Sequence, residues 1–282
     1  MSIVYKILLI LVVTSLTTIV ILSLLNTTKR RYHDLLNEGL EHQTQGSQKL
    51  ITDEDLEHLP TLVKNYLNYV GVVGTPHVTN FQLELTGEMK MKQDGEFSPY
   101  KAEQTSFINQ GIRLFYMDLW LNRMKVSGLH HYHNDDASMK IKFFDVFKVV
   151  DESGEIMQKA ETVTFFNDMV VFAPQTLIRD NIQWETIDNS TVQAIFTHNQ
   201  ITISAELQFD DEGKLVNFIS QDRLVLDDEG LQENVPWSTP ISTYHTVGDL
   251  TLPKAGKGIW HYESGDFTYI TLQVESITYN ID

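Results

Sequence analysis

The hydrophobic positions of this chain begin with one uninterrupted block near the amino terminus. Residues 7–25 carry no charged side chain, and Lys29, Arg30 and Arg31 follow almost at once. At about 1.5 Å of rise per residue, a helix of this length spans roughly 28 Å, close to the hydrocarbon thickness of a bilayer. The block is longer than the core of a cleaved secretory signal. We therefore predict a transmembrane anchor over residues 1–28.

Hydroxyl-bearing residues dilute this apolar block without adding charge. In a helix their hydroxyls can donate to carbonyls one turn back, so they need not stay unsatisfied in lipid. They are Thr14, Ser15, Thr17, Thr18 and Ser23. The next segment, residues 29–50, is mostly polar and predicts a helical stalk that fades into a linker.

From Thr52 onward the pattern predicts one β-rich domain over residues 51–282, opening with a pair of short helices. Thr52 and Asp55 have nearly the spacing and chemistry of a capping box, and Pro60 suits the first turn of a second helix. Apolar residues then recur at helical spacing as far as Val70, and Gly71 ends the pattern. This helix is expected to lay one apolar stripe on a sheet.

After Pro76 the hydrophobic period changes from 3.6 to 2, which is the period of β-strands. The alternation is clearest from Ile201 to Phe209, and short polar turns join that strand to its neighbours in an antiparallel meander. One helix, from Glu155 to Phe172, separates two groups of strands and is apolar over more than one stripe. The fold class is therefore predicted as α+β. Strands are predicted near residues 79–92, 99–109, 112–120, 123–132, 137–148, 182–187, 192–197, 201–209, 215–225, 241–251, 257–263 and 267–279.

Composition excludes some classes of partner. The formal net charge is −17 and no basic stripe interrupts the acidic domain, so we expect no nucleic-acid binding. The chain has no cysteine, which fits an oxidising or a reducing compartment equally. No phosphate loop or other cofactor motif occurs, so no cofactor is predicted.

The histidine-rich run from His130 to Asp136 suggests a metal site. On a strand, His131 and His133 project to one face like paired imidazole ligands, with Asp135 two positions further. No partner motif such as HExxH accompanies them. The interpretation we favour is a solvated polar strand end, with a metal site as the alternative.

Asp168 is the most unusual charged residue, because it lies inside the most apolar helix. A buried carboxylate needs a hydrogen-bonding or charged partner. Arg223 and Arg179 are the available cations, and we predict a structural ion pair between Asp168 and Arg223. The alternative is a general acid or base that works with Glu103 or His131.

Aromatic residues are numerous on the predicted strands and on the internal helix. Most must fill the core, but a sheet that curves without closing would leave some of them around an apolar cavity. The helix over residues 155–172 would then plug or gate the concave face. The side chains predicted to line the cavity are Phe107, Trp120, Phe166, Trp184 and Phe196.

Several short segments occur in a distinctive order from about residue 56 onward. They include Leu59-Pro60, Gly71-Val72-Val73-Gly74, Ala102-Glu103-Gln104, Thr164-Phe165-Phe166-Asn167-Asp168-Met169, Ile182-Gln183-Trp184, Pro236-Trp237-Ser238-Thr239-Pro240 and Ile277-Thr278-Tyr279-Asn280. In this order they resemble a bacterial family of uncharacterised proteins, the DUF6544/DUF6920 group, which has no assigned activity. The closing segment, with Gly248 and Leu252-Pro253 before two final strands, is similar in layout to LolA-type lipoprotein carriers. That likeness implies a curved half-barrel sheet that binds acyl chains in a bacterial envelope.

The patterns and the resemblance together predict a membrane-anchored envelope protein that binds a lipid or another apolar ligand. A single-pass inner-membrane location is expected. The count of basic residues beside the anchor favours a cytosolic domain, whereas the resemblance implies an extracytoplasmic one. The alternatives are a hydrolase that uses Asp168 with Glu103 or His131, and a scaffold for a membrane complex with an exposed apolar patch.

Overall fold

In the computed structural model, the described residues are 3–24, 26–43, 49–121, 123–133, 136–223, 225–226, 232–233 and 235–282. Within these ranges there are four α-helices and two 3-10 turns. The helices are α1 (Ile3–Leu24), α2 (Thr27–His42), α3 (Thr61–Val70) and α4 (Glu155–Phe172), and the turns are Glu54–Leu56 and Pro174–Ile178.

Sixteen strands are assigned in the same ranges. They are β1 (Asn80–Met89), β2 (Ser98–Phe107), β3 (Ile112–Leu121), β4 (Met124–His133), β5 (Asp136–Phe143), β6 (Phe147–Ser153), β7 (Ile182–Thr186), β8 (Thr191–His198), β9 (Ile201–Phe209), β10 (Leu215–Ser220), β11 (Val225–Leu226), β12 (Gln232–Glu233), β13 (Trp237–Ser238), β14 (Ile241–Val247), β15 (Leu250–Tyr262) and β16 (Gly265–Tyr279).

Fourteen of these strands form one curved, open antiparallel sheet, which confirms the predicted α+β class. The strand order is β6-β5-β4-β3-β2-β1-β16-β15-β13-β10-β9-β8-β7, and β14 pairs with β15 beside this path. The first half is an uninterrupted meander from β1 to β6. The two halves meet where β1 pairs with β16, with Phe81 opposite Tyr279 and Met89 opposite Ile270.

The bounds of β5, β6 and β15 differ from those predicted from the sequence. The predicted strand 137–148 is a hairpin, because Phe144 and Asp145 adopt positive φ angles and turn the chain between β5 and β6. Pro253 and Gly256, which fall between the predicted strands 241–251 and 257–263, lie inside β15. A proline is tolerated at position 253 because pairing with β16 begins only at Ala255.

Helix α4 covers the inner, concave face of the sheet, and its residues 161–172 are all buried. It contacts strands from both halves, among them β5, β9 and β15. Tyr66 of α3 donates a hydrogen bond to the Val170 carbonyl at 2.9 Å, which joins α3 to the same core. The burial predicted for this helix from its broad apolar surface is therefore observed.

Helix α2 packs on the outer face, so residues 27–42 are not the free polar stalk that the sequence suggested. Tyr32, Leu35 and Leu36 are buried against a second apolar cluster that contains Phe107. Gly39 permits the close approach, because a Cβ atom there would lie 2.5 Å from Phe107 Cε2. The linker predicted after this helix falls mainly on residues 44–48, which lie outside the described ranges.

Helix α1 is the one described helix that is long and apolar enough to cross a membrane, and its span from Ile3 to Ile21 is not buried by the rest of the protein. A signal sequence would have the same length and composition. The Thr14, Thr17 and Thr18 hydroxyls donate to carbonyls one turn back at 2.8 to 2.9 Å, as predicted.

Candidate functional site

A large cavity opens on the inner face of the first half of the sheet. Its volume is about 750 Å³. The residues of β3 alternate strictly, so that Phe115, Met117 and Leu119 line the cavity while Leu114 and Tyr116 pack under α2. This two-sided burial explains why β3 is an almost continuous apolar run. Further lining side chains are Met89, Leu121, Val126, Met139, Ile141, Phe143, Val149, Val150, Trp260, Tyr262, Phe267 and Tyr269.

A smaller recess of about 120 Å³ lies next to the cavity, beneath α4. Phe115, Met117, His130, Arg223 and Tyr269 line both spaces, so the two adjoin. Apolar side chains form most of the wall in both spaces, and the inner recess has, in addition, more polar and charged side chains. Ligand sites commonly combine these two features, an apolar wall and a few convergent polar groups.

The polar side chains of the recess form one buried cluster around Arg113. The Arg113 Nε donates to Asp168 Oδ2 at 2.5 Å, and its Nη1 donates to Glu161 Oε2 at 3.1 Å. Gln104 bridges the pair by accepting from Arg113 at 3.3 Å and donating to Asp168 at 2.8 Å. His130 Nδ1 lies 2.8 Å from Glu161 Oε1. We call these five residues the Arg113 cluster.

The surroundings shift the pKa values of the two carboxyl groups of the Arg113 cluster in opposite directions. Burial alone would raise the pKa of the Glu161 carboxyl, but Arg113 and His130 outweigh it and lower that pKa to about 2. Burial raises the pKa of Asp168 above its usual value, and Arg113 and Gln104 offset it only in part. Arg113 remains charged, because its two carboxylate neighbours outweigh the burial that lowers its pKa. The cluster is hydrogen-bonded within itself, as a structural ion network requires.

Arg223 lines the same cavity, and its hydrogen-bond partners in the described part of the chain are neutral, while its charge helps to lower the pKa of Glu161. Its Nε donates to Thr164 Oγ1 at 3.2 Å and its Nη1 donates to the Tyr269 hydroxyl at 3.3 Å. The guanidinium carbon lies 4.5 Å from the ring centre of Trp237 and 5.1 Å from that of Trp260. Two indole rings therefore hold this cation at the boundary between the apolar cavity and the polar recess.

The predicted ion pair between Asp168 and Arg223 is wrong, because Arg113 is the cation that binds Asp168. Arg113 reaches α4 from the inner face of β3, while Arg223 is held by the two tryptophans. Arg179 is also not a partner, since it donates to Asn109 Oδ1 at 3.0 Å.

The structure does not bring the proposed hydrolase residues together. Glu103 lies next to Gln104 on β2 and so faces the opposite side of the sheet, where it pairs with Lys29 of α2. His131 is likewise on the outer face, beside α2. Asp168 is on the inner side, so neither residue can share a pocket with it.

The structure divides the histidines of the run from His130 to Asp136 between the two faces of β4. His131 and His133 do share one face of β4, with ring centres 6.3 Å apart, and burial lowers the pKa of His131. Asp135 lies outside the described residues. Across the described ranges, no group of three or more His, Cys, Asp or Glu side chains is arranged to hold a metal ion. His130, which directly precedes His131, faces inward and belongs to the Arg113 cluster.

None of the five aromatic residues predicted to line a cavity borders the one on the inner face. Phe107 packs under α2 on the outer face, and Trp120 is 51% exposed at the end of β3. Phe166 and Phe196 stack on each other in the core with ring centres 4.7 Å apart, and half-buried Trp184 packs against that core. The open space lies between the first half of the sheet and the adjoining strands β15 and β16, whereas the inner face of β7 to β10 is filled by the core.

Sequence reasoning missed Arg113, Glu161, Gln104 and His130. A signal existed for Arg113, which is the single charge in the apolar run Ile112-Arg113-Leu114-Phe115-Tyr116-Met117. A charge retained in a strand that is buried on both faces needs a buried partner, and Asp168 and Glu161 on the internal helix were the candidates.

The geometry defines an α+β protein with an open antiparallel sheet, an apolar cavity and a charged interior. The profile of a family of unknown function, DUF6544, matches residues 49–272. The chain belongs to this family. No curated protein matches its sequence.

Two solved structures are similar in architecture. One is a domain from Vibrio parahaemolyticus that is described as an outer membrane lipoprotein-sorting protein. It shares 10% identity, with a TM-score of 0.40 over 71% of this chain and 85% of that chain. A DUF1329 family protein from Desulfovibrio piger ATCC 29098 shares 8% identity, with a TM-score of 0.41 over 78% of this chain and 91% of that chain.

Proposed function

We propose that this protein holds the acyl chain of a lipid or a similar apolar ligand in the cavity on the inner face of its sheet. The observation that carries the proposal is a cavity of about 750 Å³ with walls of Met, Leu, Ile, Val and aromatic side chains. This volume lies within the range of about 300–1,000 Å³ that small-molecule sites occupy. Contact between water and apolar walls of this extent is unfavourable, so an apolar ligand that displaces the water would be stabilised.

The flexible lining favours an acyl chain over a rigid ligand. Met89, Met117 and Met139 line the cavity, and methionine side chains adapt to ligands of irregular shape. The ring of Phe143 and the branched side chain of Ile141 complete the wall on β5. A flexible chain can follow such a wall with little strain on either partner.

The charged recess favours binding over catalysis, because its charged groups mainly engage one another. Arg113 donates hydrogen bonds to Asp168, Glu161 and Gln104. Arg223 remains available to the cavity, because its partners are hydroxyls and indole rings. A ligand with a negatively charged head would gain a favourable contact with this guanidinium.

The apolar helix α1 supports a membrane location for the binding domain. A span of 19 residues with mean hydropathy 2.3 suits a bilayer crossing. We extend the proposal to a single-pass protein of the inner membrane, with the domain on the extracytoplasmic side. A ligand source would then lie directly beside the cavity.

Photocrosslinking of the full chain in lipid nanodiscs tests the proposal. A fatty acid with a diazirine near its methyl end is added, irradiated and mapped by peptide mass spectrometry. Adducts are expected on Met117, Met139 and neighbouring residues of β3 and β5, and excess unlabelled fatty acid should remove them. Adducts confined to α1, or adducts that excess ligand leaves unchanged, would show that the probe only partitions into the membrane.

A further inference from the structure

Large apolar side chains are exposed on three hairpins at one end of the sheet. These residues are 39% to 53% exposed, although they are neither part of α1 nor in the core. They lie at the ends of β1–β2, β3–β4 and β5–β6. We call them the tip patch, which consists of Met91, Phe97, Trp120, Met124, Phe147 and Val149.

The topology puts the three hairpins at the same end. Strands β1 to β6 are consecutive antiparallel neighbours, so every second turn of the meander lies on the same side. The turns after β1, β3 and β5 are therefore adjacent. The turns after β2 and β4 lie at the opposite end.

The same end adjoins the carboxyl end of α1. Asp145, in the turn between β5 and β6, accepts hydrogen bonds from the Thr28 backbone N–H at 3.1 Å and from the Thr27 hydroxyl at 2.7 Å. It also binds the Thr28 hydroxyl and so caps the first turn of α2. Helix α1 ends at Leu24, and three Cα steps of about 3.8 Å cover no more than about 11 Å. The tip patch is thus fixed beside the point where α1 reaches the domain.

The tip patch also continues into the cavity. Met91 and Val149 belong to the tip patch and to the cavity lining, and Leu121 lines the cavity one residue after Trp120. Apolar side chains therefore line the cavity from the exposed hairpins to Met117 inside, with Lys90, Lys92 and Gln93 among them near the hairpin between β1 and β2. An acyl chain could follow the apolar side chains inward.

The charges between the tip residues are mixed. Lys90, Lys92 and Lys148 can extend toward lipid headgroups while their stems remain in apolar surroundings. Lys90 already lies 5.1 Å from the ring centre of Phe97. Asp94 and Glu96 occupy the same turn as Lys90 and Lys92, so net attraction to anionic lipid is weak. Contact with a bilayer would come mainly from burial of apolar area, and from Trp120 at the interface.

We propose that the tip patch inserts into the lipid interface and turns the cavity mouth toward the membrane in which α1 is anchored. The partner is a bilayer surface, and contact needs no anionic lipid. The inference deepens the proposed function and rests on it, because it supplies the route by which an acyl chain leaves the bilayer and enters the cavity.

Single-cysteine labelling of the full chain tests the inference, since the natural sequence has no cysteine. Trp120→Cys and Phe147→Cys carry an environment-sensitive nitrobenzoxadiazole dye at the tip patch. Ile187→Cys is the matched control, because Ile187 is equally exposed at 51% but lies beyond β7, at the opposite edge of the sheet from β6. Leu11→Cys reports on α1. The proteins are reconstituted into vesicles of phosphatidylcholine alone, and of phosphatidylethanolamine with phosphatidylglycerol.

The tip labels should emit at shorter wavelength than the Ile187 label, and spin-labelled lipid should quench them in both vesicle types. Quenching at position 11 together with water-like labels at 120 and 147 would overturn this inference and leave the anchor intact. Emission typical of a dye in water at positions 11, 120 and 147 would overturn the membrane anchor as well. Tip labels that are shielded from water but not quenched by lipid would overturn the insertion of the tip patch into lipid, because they would report a protein contact. The photocrosslinking experiment with the diazirine fatty acid measures binding in the cavity independently of these labels, so failure of the tip patch and failure of the cavity are distinguished.

Discussion

The guanidinium of Arg113 joins β3 to α4 through Asp168, whose Oδ2 lies 2.5 Å from Nε. Both side chains are almost completely buried, and Glu161 extends the pair to a position about two helical turns away on α4. The helix that covers the inner face is therefore attached to the sheet by charge as well as by apolar contact. This attachment determines where the floor of the cavity lies.

Replacing Arg113 with Met should strongly destabilise the protein. The substitution leaves two buried carboxylates without their cation, and loss of one partner of a buried ion pair costs about 3–5 kcal/mol. Urea denaturation of the full chain in micelles, followed by tryptophan fluorescence, measures the change. The control is Lys148→Gln, which removes an exposed pair with Asp151 and should leave the midpoint unchanged. Equal midpoints for both variants would contradict the role of Arg113.

Glu161→Gln should reduce the sensitivity of stability to acid. The folded-state pKa of Glu161 is about 2 and its ordinary value is 4.5, so the folded state binds fewer protons than the unfolded state between these values. This contribution to stability is present above pH 4.5 and is lost as the pH falls toward 2. Asp168, whose pKa is raised by burial, acts in the opposite sense.

The free energy of unfolding, measured at several pH values across this window, should fall less steeply for Glu161→Gln than for the wild type. Glu185→Gln, at an exposed position on β7, serves as the control and should follow the wild-type curve. Parallel curves for all three proteins would refute the assignment of acid sensitivity to Glu161.

Gly128→Trp should block the cavity without unfolding the sheet. A Cβ atom at Gly128 meets only Ile141 Cγ1 within 4 Å, at 3.8 Å, so the new side chain has room to enter the cavity. Affinity for a fluorescent fatty acid is expected to fall by about tenfold or more, equivalent to ~1.4 kcal/mol. Ile187→Trp adds the same ring at the far edge and should bind normally. Unchanged binding by Gly128→Trp would place the ligand elsewhere.

Arg223→Gln should discriminate between ligands by their charge. The wild-type guanidinium can form a charge-assisted hydrogen bond to a carboxylate, worth about 1.5–3 kcal/mol. The variant is expected to bind a fatty acid roughly tenfold or more weakly, while it binds the corresponding fatty alcohol like the wild type. Displacement titrations with the two ligands measure this. Arg179→Gln, away from the cavity, is the control, and equal losses for acid and alcohol would contradict the prediction.

Local patterns predicted the elements of this fold well. The strand from Ile201 to Phe209 and the helix from Glu155 to Phe172 have the predicted bounds, because each pattern depends on neighbours a few residues away. The local patterns predicted less well which faces of each strand are buried. Helix α2 covers the outer face with few apolar residues, so its own pattern did not predict that it would pack on β3.

The partner of Asp168 could not be chosen from the sequence. Arg113 and Arg223 lie equally far from it along the chain, 55 positions in each direction. The choice depends on the path of α4 across the sheet, which only the three-dimensional packing determines. The position of the cavity depends on the same path. Of the aromatic residues chosen from the sequence, Phe166, Trp184 and Phe196 belong to the filled core, Phe107 packs under α2, and Trp120 is exposed.

The pairing of β1 with β16 has a consequence for biosynthesis. These strands unite the two halves of the sheet, yet about 190 residues separate them along the chain. The early meander must therefore wait, with an unpaired edge at β1, until the final strand has left the ribosome. Premature termination anywhere before β16 would leave that edge open to intermolecular association.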